Sequence, residues 1–186
     1  IKLRPSIIKF VFVSRLLLSK GILDFLKISE AVKKDYPSTE FIIAGKLVDD
    51  KDYISKKILN KYIDDKVVSY LGFIENIDSL FKESDCIIYP STYYEGIPHA
   101  LIQAASYANI IITYNWRGCV EVVENKKNGY LVDINNNKFK NLLNSVYKVI
   151  EKEEKSIISM KKKSYELAKS KFDNTIIHSK IVDILK

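Results

Sequence analysis

The chain has 186 residues, 47% of them hydrophobic, which is enough for one well-buried core, so a single domain spanning residues 1–186 is expected. Thirty Lys and Arg against 23 Asp and Glu leave a net charge of +7, with the two signs mixed along the chain. No concentrated basic stripe points to nucleic acid, and the remaining bias favours a phosphorylated ligand or an anionic membrane face. Cys86 and Cys119 lack CxxC spacing, so neither a disulfide framework nor a structural zinc site is expected and the chain reads as cytoplasmic. No apolar stretch has the length of a membrane span, and the first residue is Ile1, which leaves open that the chain is cut from a longer protein.

Residues 7–13 form a short apolar run predicted as the first strand, followed by VSRLLLSKG and a helix over 21–34. Pro37 and Ser38 close that helix ahead of a second strand over 40–44. A helix over 52–63, a strand over 67–71 and a helix over 76–83 come next. The strand over 86–89 leads to a helix over 97–107, the strand over 110–113 leads into RGCVEVV, and a strand over 129–132 ends the alternation. Beyond it the periodicity is helical only, over 136–150, 156–171 and 174–185. Strands alternating with helices, and apolar at nearly every position, predict an α/β fold: a Rossmann-like parallel sheet with helices on both faces and extra C-terminal helices.

In such sheets a ligand sits outside the carboxyl ends of the strands. Arg15 and Lys20 follow the first strand and suit a diphosphate, one as a planar fork of donors and the other as a mobile point charge; two surface cations at a helix entry are the plainer alternative. After the fourth strand, TYYEGIPHALIQA brings Gly96 for close backbone approach, Pro98 for the first helical turn, and the unpaired N–H groups of His99 and Ala100 toward an anion. Glu95 would repel a phosphate but suits the hydroxyls of a sugar attached to it, or simply favours the helix dipole. Glu121 reads equally as a polar ligand or a surface charge. His99 and His178 have no partner at metal-ligand spacing, so no metal site is expected, and His178 reads as a surface residue. Tyr93, Tyr94 and Trp116 can stack on a base or sugar or belong to the core. No GxxxxGK[ST] or GxGxxG is present, which removes the best support for nucleoside triphosphate and nicotinamide binding.

Taken in order, VSRLLLSKG, AGK at 44–46, LGF at 71–73, YPSTYYEGIPHALIQA, RGCVEVV and NGYLV resemble the nucleotide-sugar-binding half of bacterial retaining glycosyltransferases of the GT-B fold, the large family of lipopolysaccharide, capsule and phosphatidylinositol mannosyl transferases. The resemblance runs from about residue 7 to residue 132. It implies that Arg15 and Lys20 hold the donor diphosphate, that Gly72 and Phe73 border the base, and that Gly96, Ile97, Pro98, His99, Ala100 and Leu101 meet the phosphates and sugar. By the same resemblance Glu95 binds hydroxyls of the transferred sugar. The donor would be a UDP- or GDP-linked sugar, with no cofactor and no metal. The acceptor, a glycan or lipid-linked sugar, would be bound by an N-terminal domain that this chain lacks, with peripheral association at the inner face of the cell membrane.

Two departures stand out. Gln103 occupies the position of the family's second glutamate, which grips the ribose, and Ala108 and Ile110 replace its usual glycine and proline. An amide oxygen still accepts a hydrogen bond but without charge assistance. A nucleotide-sugar 2-epimerase, which would need more acid–base groups than this half supplies, and a non-catalytic sugar-nucleotide sensor therefore stay open beside the transferase.

Overall fold

The computed structural model describes residues 7–48 and 51–173. The helix predicted over 174–185, and His178 with it, lies outside the described residues. The elements alternate as β1 (Lys9–Val13), α1 (Ile22–Asp35), β2 (Glu40–Ala44), α2 (Lys56–Asp64), β3 (Ser69–Tyr70), α3 (Asp78–Glu83), β4 (Cys86–Tyr89), α4 (His99–Ser106), β5 (Ile110–Tyr114) and β6 (Gly129–Val132), followed by α5 (Lys138–Ile150) and α6 (Glu154–Phe172). All described strand pairs are parallel, and the strand order is β3-β2-β1-β4-β5-β6. This is the doubly wound order of a dinucleotide-type Rossmann sheet.

Period-two alternation divides the core between the two faces of the sheet. Phe10, Phe12, Ile43, Ile88, Ile112 and Tyr114 pack with α1, α2 and α5 on one side. Val11, Ile87, Tyr89 and Ile111 pack with α3 and α4 on the other, where Ala104 and Ala105 bring α4 close. An aromatic cluster anchors the first face, with Phe10 stacked on Phe41 at 5.1 Å and Phe25 edge-on to Phe41 at 5.9 Å between ring centroids.

Most predicted bounds shift by one or two residues, the strand expected over 67–71 contracts to Ser69–Tyr70, and three of the shifts have a visible cause. β1 begins at Lys9, where its ladder with Glu40 of β2 begins. α2 begins at Lys56 because the Ser55 hydroxyl accepts the Ile58 N–H at 3.3 Å and caps the helix, while Asp52 and Tyr53 turn back onto the chain after β1. Pro98 is the cap of α4, with extended backbone, and not its first helical residue.

At the amino end of β4, Asp85 and Lys161 are both buried. Lys161 Nζ donates to Asp85 Oδ1 at 2.5 Å, and Oδ2 accepts the Lys9 N–H at 3.0 Å, so α6 is tied through one carboxylate to the start of the central strands. Removing one member of a buried pair strands the other charge. Lys161→Met is expected to lower the unfolding free energy by about 3–5 kcal/mol, and adding Asp85→Asn to restore a large part of it. Chemical denaturation of the two variants checks this, and equal losses in both would show that Asp85 is not the cause.

Candidate functional site

Chain connections leave β1 and β4 in opposite directions, toward β2 on one side and toward β5 on the other, although the two strands are paired. The loops that follow them therefore part and leave a crevice at the carboxyl edge. The loop after β1 is fixed from two sides. Ser19 N–H donates to Asp52 Oδ2 at 3.1 Å, and the Ser19 carbonyl accepts the Thr92 N–H at 2.8 Å from the loop after β4. Gly21, at φ +87°, completes the contact, since a Cβ there would lie 2.1 Å from the Pro90 carbonyl oxygen.

The crevice encloses about 560 Å³. Lys20 reaches into it from the first loop although it is only 4% exposed. Its ammonium is paired with Glu95 Oε1 and donates to the Tyr89 hydroxyl at 3.2 Å, and it lies 4.1 Å from the centre of the Tyr93 ring. The Tyr89 hydroxyl in turn donates to Glu95 Oε1 at 3.0 Å. Burial, and then the charge of Glu95, push the Tyr89 hydroxyl well above its usual range, so it stays protonated. Arg15, exposed at the mouth, places its guanidinium 5.5 Å from the centre of the same Tyr93 ring.

On the opposite wall α4 starts at His99, and the first helical N–H to find a backbone acceptor is that of Leu101, which bonds the Pro98 carbonyl at 3.0 Å. The N–H groups of His99 and Ala100 have no such bond among the described residues and face the crevice end of the helix, where an anion is favoured. Gly118, at φ +75°, supports this wall from the loop after β5, because a Cβ there would lie 1.9 Å from the Gly96 carbonyl oxygen.

Of the residues singled out in the sequence, Arg15, Lys20, Phe73, Glu95, Pro98, His99, Ala100 and Gln103 line the one crevice. Gly72, Gly96, Ile97 and Leu101 do not. Leu101 is fully buried in the core under α4, while Gly72 and Gly96 have open space where a Cβ would be. Within the protein it is Gly118 that a neighbouring backbone approaches closely. Lys20 is not the surface cation that its sequence context allows. Glu121 is a surface charge, paired with Lys171 at 2.7 Å. The sequence reading missed Ser14, Lys46, Glu75 and Tyr89, all of which line the crevice. Ser14 directly follows β1 and Lys46 lies two residues past β2, positions that the strand-end rule could have flagged; Tyr89, the last residue of a buried strand, carried no such signal. Among the described residues no group of three or more His, Cys, Asp or Glu is placed to hold a metal ion, and no helix is long and apolar enough to cross a membrane.

The comparison with known proteins agrees with this geometry. The model of the family "Glycosyl transferases group 1" matches residues 3–166, and the chain belongs to that family. It is 29% identical over 119 residues, 64% of this chain and 30% of the relative, to the N,N'-diacetylbacillosaminyl-diphospho-undecaprenol alpha-1,3-N-acetylgalactosaminyltransferase of Campylobacter jejuni. It is 29% identical over 130 residues, 68% of this chain and 33% of the relative, to the UDP-Gal:alpha-D-GlcNAc-diphosphoundecaprenol alpha-1,3-galactosyltransferase of Escherichia coli. The chain thus spans about a third of the length of these curated relatives. Its fold superposes with a TM-score of 0.81 on Anabaena HepE crystallised with UDP, at 22% identity, covering 95% of this chain and 48% of that one.

Because a side chain at position 118 would strike the backbone behind Glu95, Gly118→Ala must displace that turn or open the β5 loop. The variant is expected to lose about 1–3 kcal/mol of stability and to unfold at lower temperature than the parent, as a forced positive φ and a backbone clash demand. A thermal melt indistinguishable from the parent's would show that the turn relaxes freely.

Proposed function

We propose that this chain is the donor-binding half of a retaining glycosyltransferase, one that moves a sugar from UDP to a glycan carried on a lipid diphosphate. The observation that carries the reading is the crevice at the β1/β4 switch point. Two cations on one wall and the unpaired amides of a helix start on the other line it together with a carboxylate, a set of groups that suits a sugar diphosphate. Lys20 and Arg15 take the diphosphate, helped by the His99 and Ala100 N–H groups, while Glu95 accepts hydrogen bonds from hydroxyls of the sugar. Exposed Phe73, at the rim, borders the base, and Gln103 meets the ribose with its amide. Uridine is favoured because a curated relative is named for UDP-Gal and a structural neighbour was crystallised with UDP. The lipid diphosphate acceptor follows the names of both curated relatives, and its binding falls to parts of the protein outside this chain.

The same groups explain how transfer is assisted. As the bond between the sugar and the diphosphate breaks, negative charge grows on the leaving oxygen. Lys20 and Arg15 are preorganised cations beside it, and Lys20 is shielded from water, where such stabilisation is strongest. No metal or cofactor is assigned to the reaction, and the protein works at the cytoplasmic face of the membrane. Gln103 favours one rival reading, a domain that binds sugar nucleotides without turnover, because an amide grips a ribose diol less strongly than a carboxylate.

Calorimetric titration of the chain with UDP and GDP tests the site. UDP is expected to saturate it and GDP to bind more weakly. Arg15→Ala should weaken UDP roughly tenfold or more, the scale of one charge-assisted hydrogen bond, and Gln103→Glu should tighten it several-fold. In the protein that carries this chain, Arg15→Ala should cost about 2–3 kcal/mol of transition-state stabilisation. Turnover near that of the parent would remove Arg15 from the reaction, and absence of sugar transfer alongside tight UDP binding would leave the non-catalytic reading in its place.

A further inference from the structure

The side chain of Tyr89 does more than its position requires. β4 reads Cys86, Ile87, Ile88, Tyr89, all buried, and packing alone at the fourth position would be met by another aliphatic residue such as its neighbours. What tyrosine adds is one oxygen in an otherwise apolar strand end. That oxygen lies 3.2 Å from Lys20 Nζ and 3.0 Å from Glu95 Oε1, and the ammonium and the carboxylate also touch each other. The three groups close a ring at the floor of the crevice.

Chemistry fixes the direction of the bonds. An ammonium only donates, so the hydroxyl accepts from Lys20, and its single hydrogen is directed to Glu95. The raised pKa of Tyr89 keeps that hydrogen in place at any physiological pH. Lys20 and Tyr89 both bind Oε1, while Oε2 takes no hydrogen bond among the described residues. The carboxylate is therefore held through one oxygen, and its second oxygen is left without such a partner on a side chain that lines the crevice.

On the reading of this crevice as a nucleotide-sugar site, we propose that Tyr89 is a positioning residue for Glu95: it holds the carboxylate in place when an incoming diphosphate draws Lys20 away from it. Lys20 has three donor hydrogens, with Glu95, the Tyr89 hydroxyl and the Tyr93 ring around them. A diphosphate must compete with the carboxylate for that ammonium. Glu95 sits on a loop between exposed Tyr94 and Gly96, and without Lys20 it would swing toward solvent. The hydroxyl of Tyr89, mounted on a buried strand, keeps it aimed at the sugar.

The consequence is selective. Tyr89 acts through Glu95 on the sugar and not on the nucleotide. Titration of the chain with UDP, UDP-galactose and UDP-N-acetylgalactosamine, before and after Tyr89→Phe, reads this directly. The phenylalanine keeps the ring and the packing, so a melt within about 2 °C of the parent is expected. Binding of the accepted UDP-sugar should weaken about tenfold, the loss expected for one hydrogen bond to a charged group, while UDP itself changes less than about threefold. In a Glu95→Gln background the same substitution should cost the UDP-sugar less than about twofold, because the group through which it acts is already lost. Equal losses for UDP and UDP-sugar, an undiminished loss in the Glu95→Gln background, or no effect on either ligand would each overturn the role of Tyr89 while leaving the site reading intact. Failure of the parent chain to bind UDP or either sugar conjugate would overturn the site reading, and this inference with it.

Discussion

The parallel pairing of β1 with β4 is the constraint on which the site depends. A strand that follows its neighbour in space but not in sequence forces the two outgoing connections apart, and the gap between them cannot be filled by either loop. The cations, amides and carboxylate of the candidate site all stand at that gap. Lys20 comes from one connection, Glu95 from the other, and Tyr89 from the carboxyl end of β4 itself. The remaining architecture serves the pairing: residues of alternating direction on β1 and β4 are buried against helices on both faces, so neither strand can slip by one residue without exposing its core to water.

Close approach between backbones does the rest of the positioning. Asp52 and Thr92 hold the loop after β1 at the same serine, and Gly21 lets that loop lie directly on Pro90. Gly118 lets the loop after β5 back the turn at Gly96. Three connections, each of which would be mobile alone, become one surface because they share contacts. A ligand meeting this surface finds cations, amides and a carboxylate already ordered, which lowers the entropic cost of binding.

Much of this was legible in the sequence, and most of what was not has one kind of cause. β2, β4 and β6 were read to the residue because they are continuous apolar runs bounded by turn residues. The strand-end rule then placed Arg15, Lys20 and Glu95 at one edge of a sheet. Helix caps such as Ser55 and Pro98 moved some bounds locally, but the features that matter to the site were decided by distant partners. α2 starts late because Asp52 is engaged by Ser19, 33 positions earlier. The sequence left Lys20 between a diphosphate ligand and a surface cation because its partner Glu95 lies 75 positions away, and Tyr89 read as part of a buried strand because its hydroxyl finds Lys20 across 69. Periodicity and turn chemistry report on neighbours in sequence, so a polar contact made only by the folded sheet leaves no local trace.

The two ends of β4 show how a buried charge for stability differs from one for function. At the amino end, Asp85 spends one oxygen on Lys161 and the other on the backbone of Lys9, and with both occupied the pair is a closed tie between helix and sheet. At the carboxyl end, Lys20 and Tyr89 converge on the same oxygen of Glu95 and leave the second one open to a cavity. Glu95 is partly exposed, so that second oxygen remains within reach of water or of a ligand, which the buried Asp85 does not allow. The tie at the amino end is closed, whereas the one at the carboxyl end keeps a hydrogen-bond acceptor free, among the described residues, on a residue that lines the crevice.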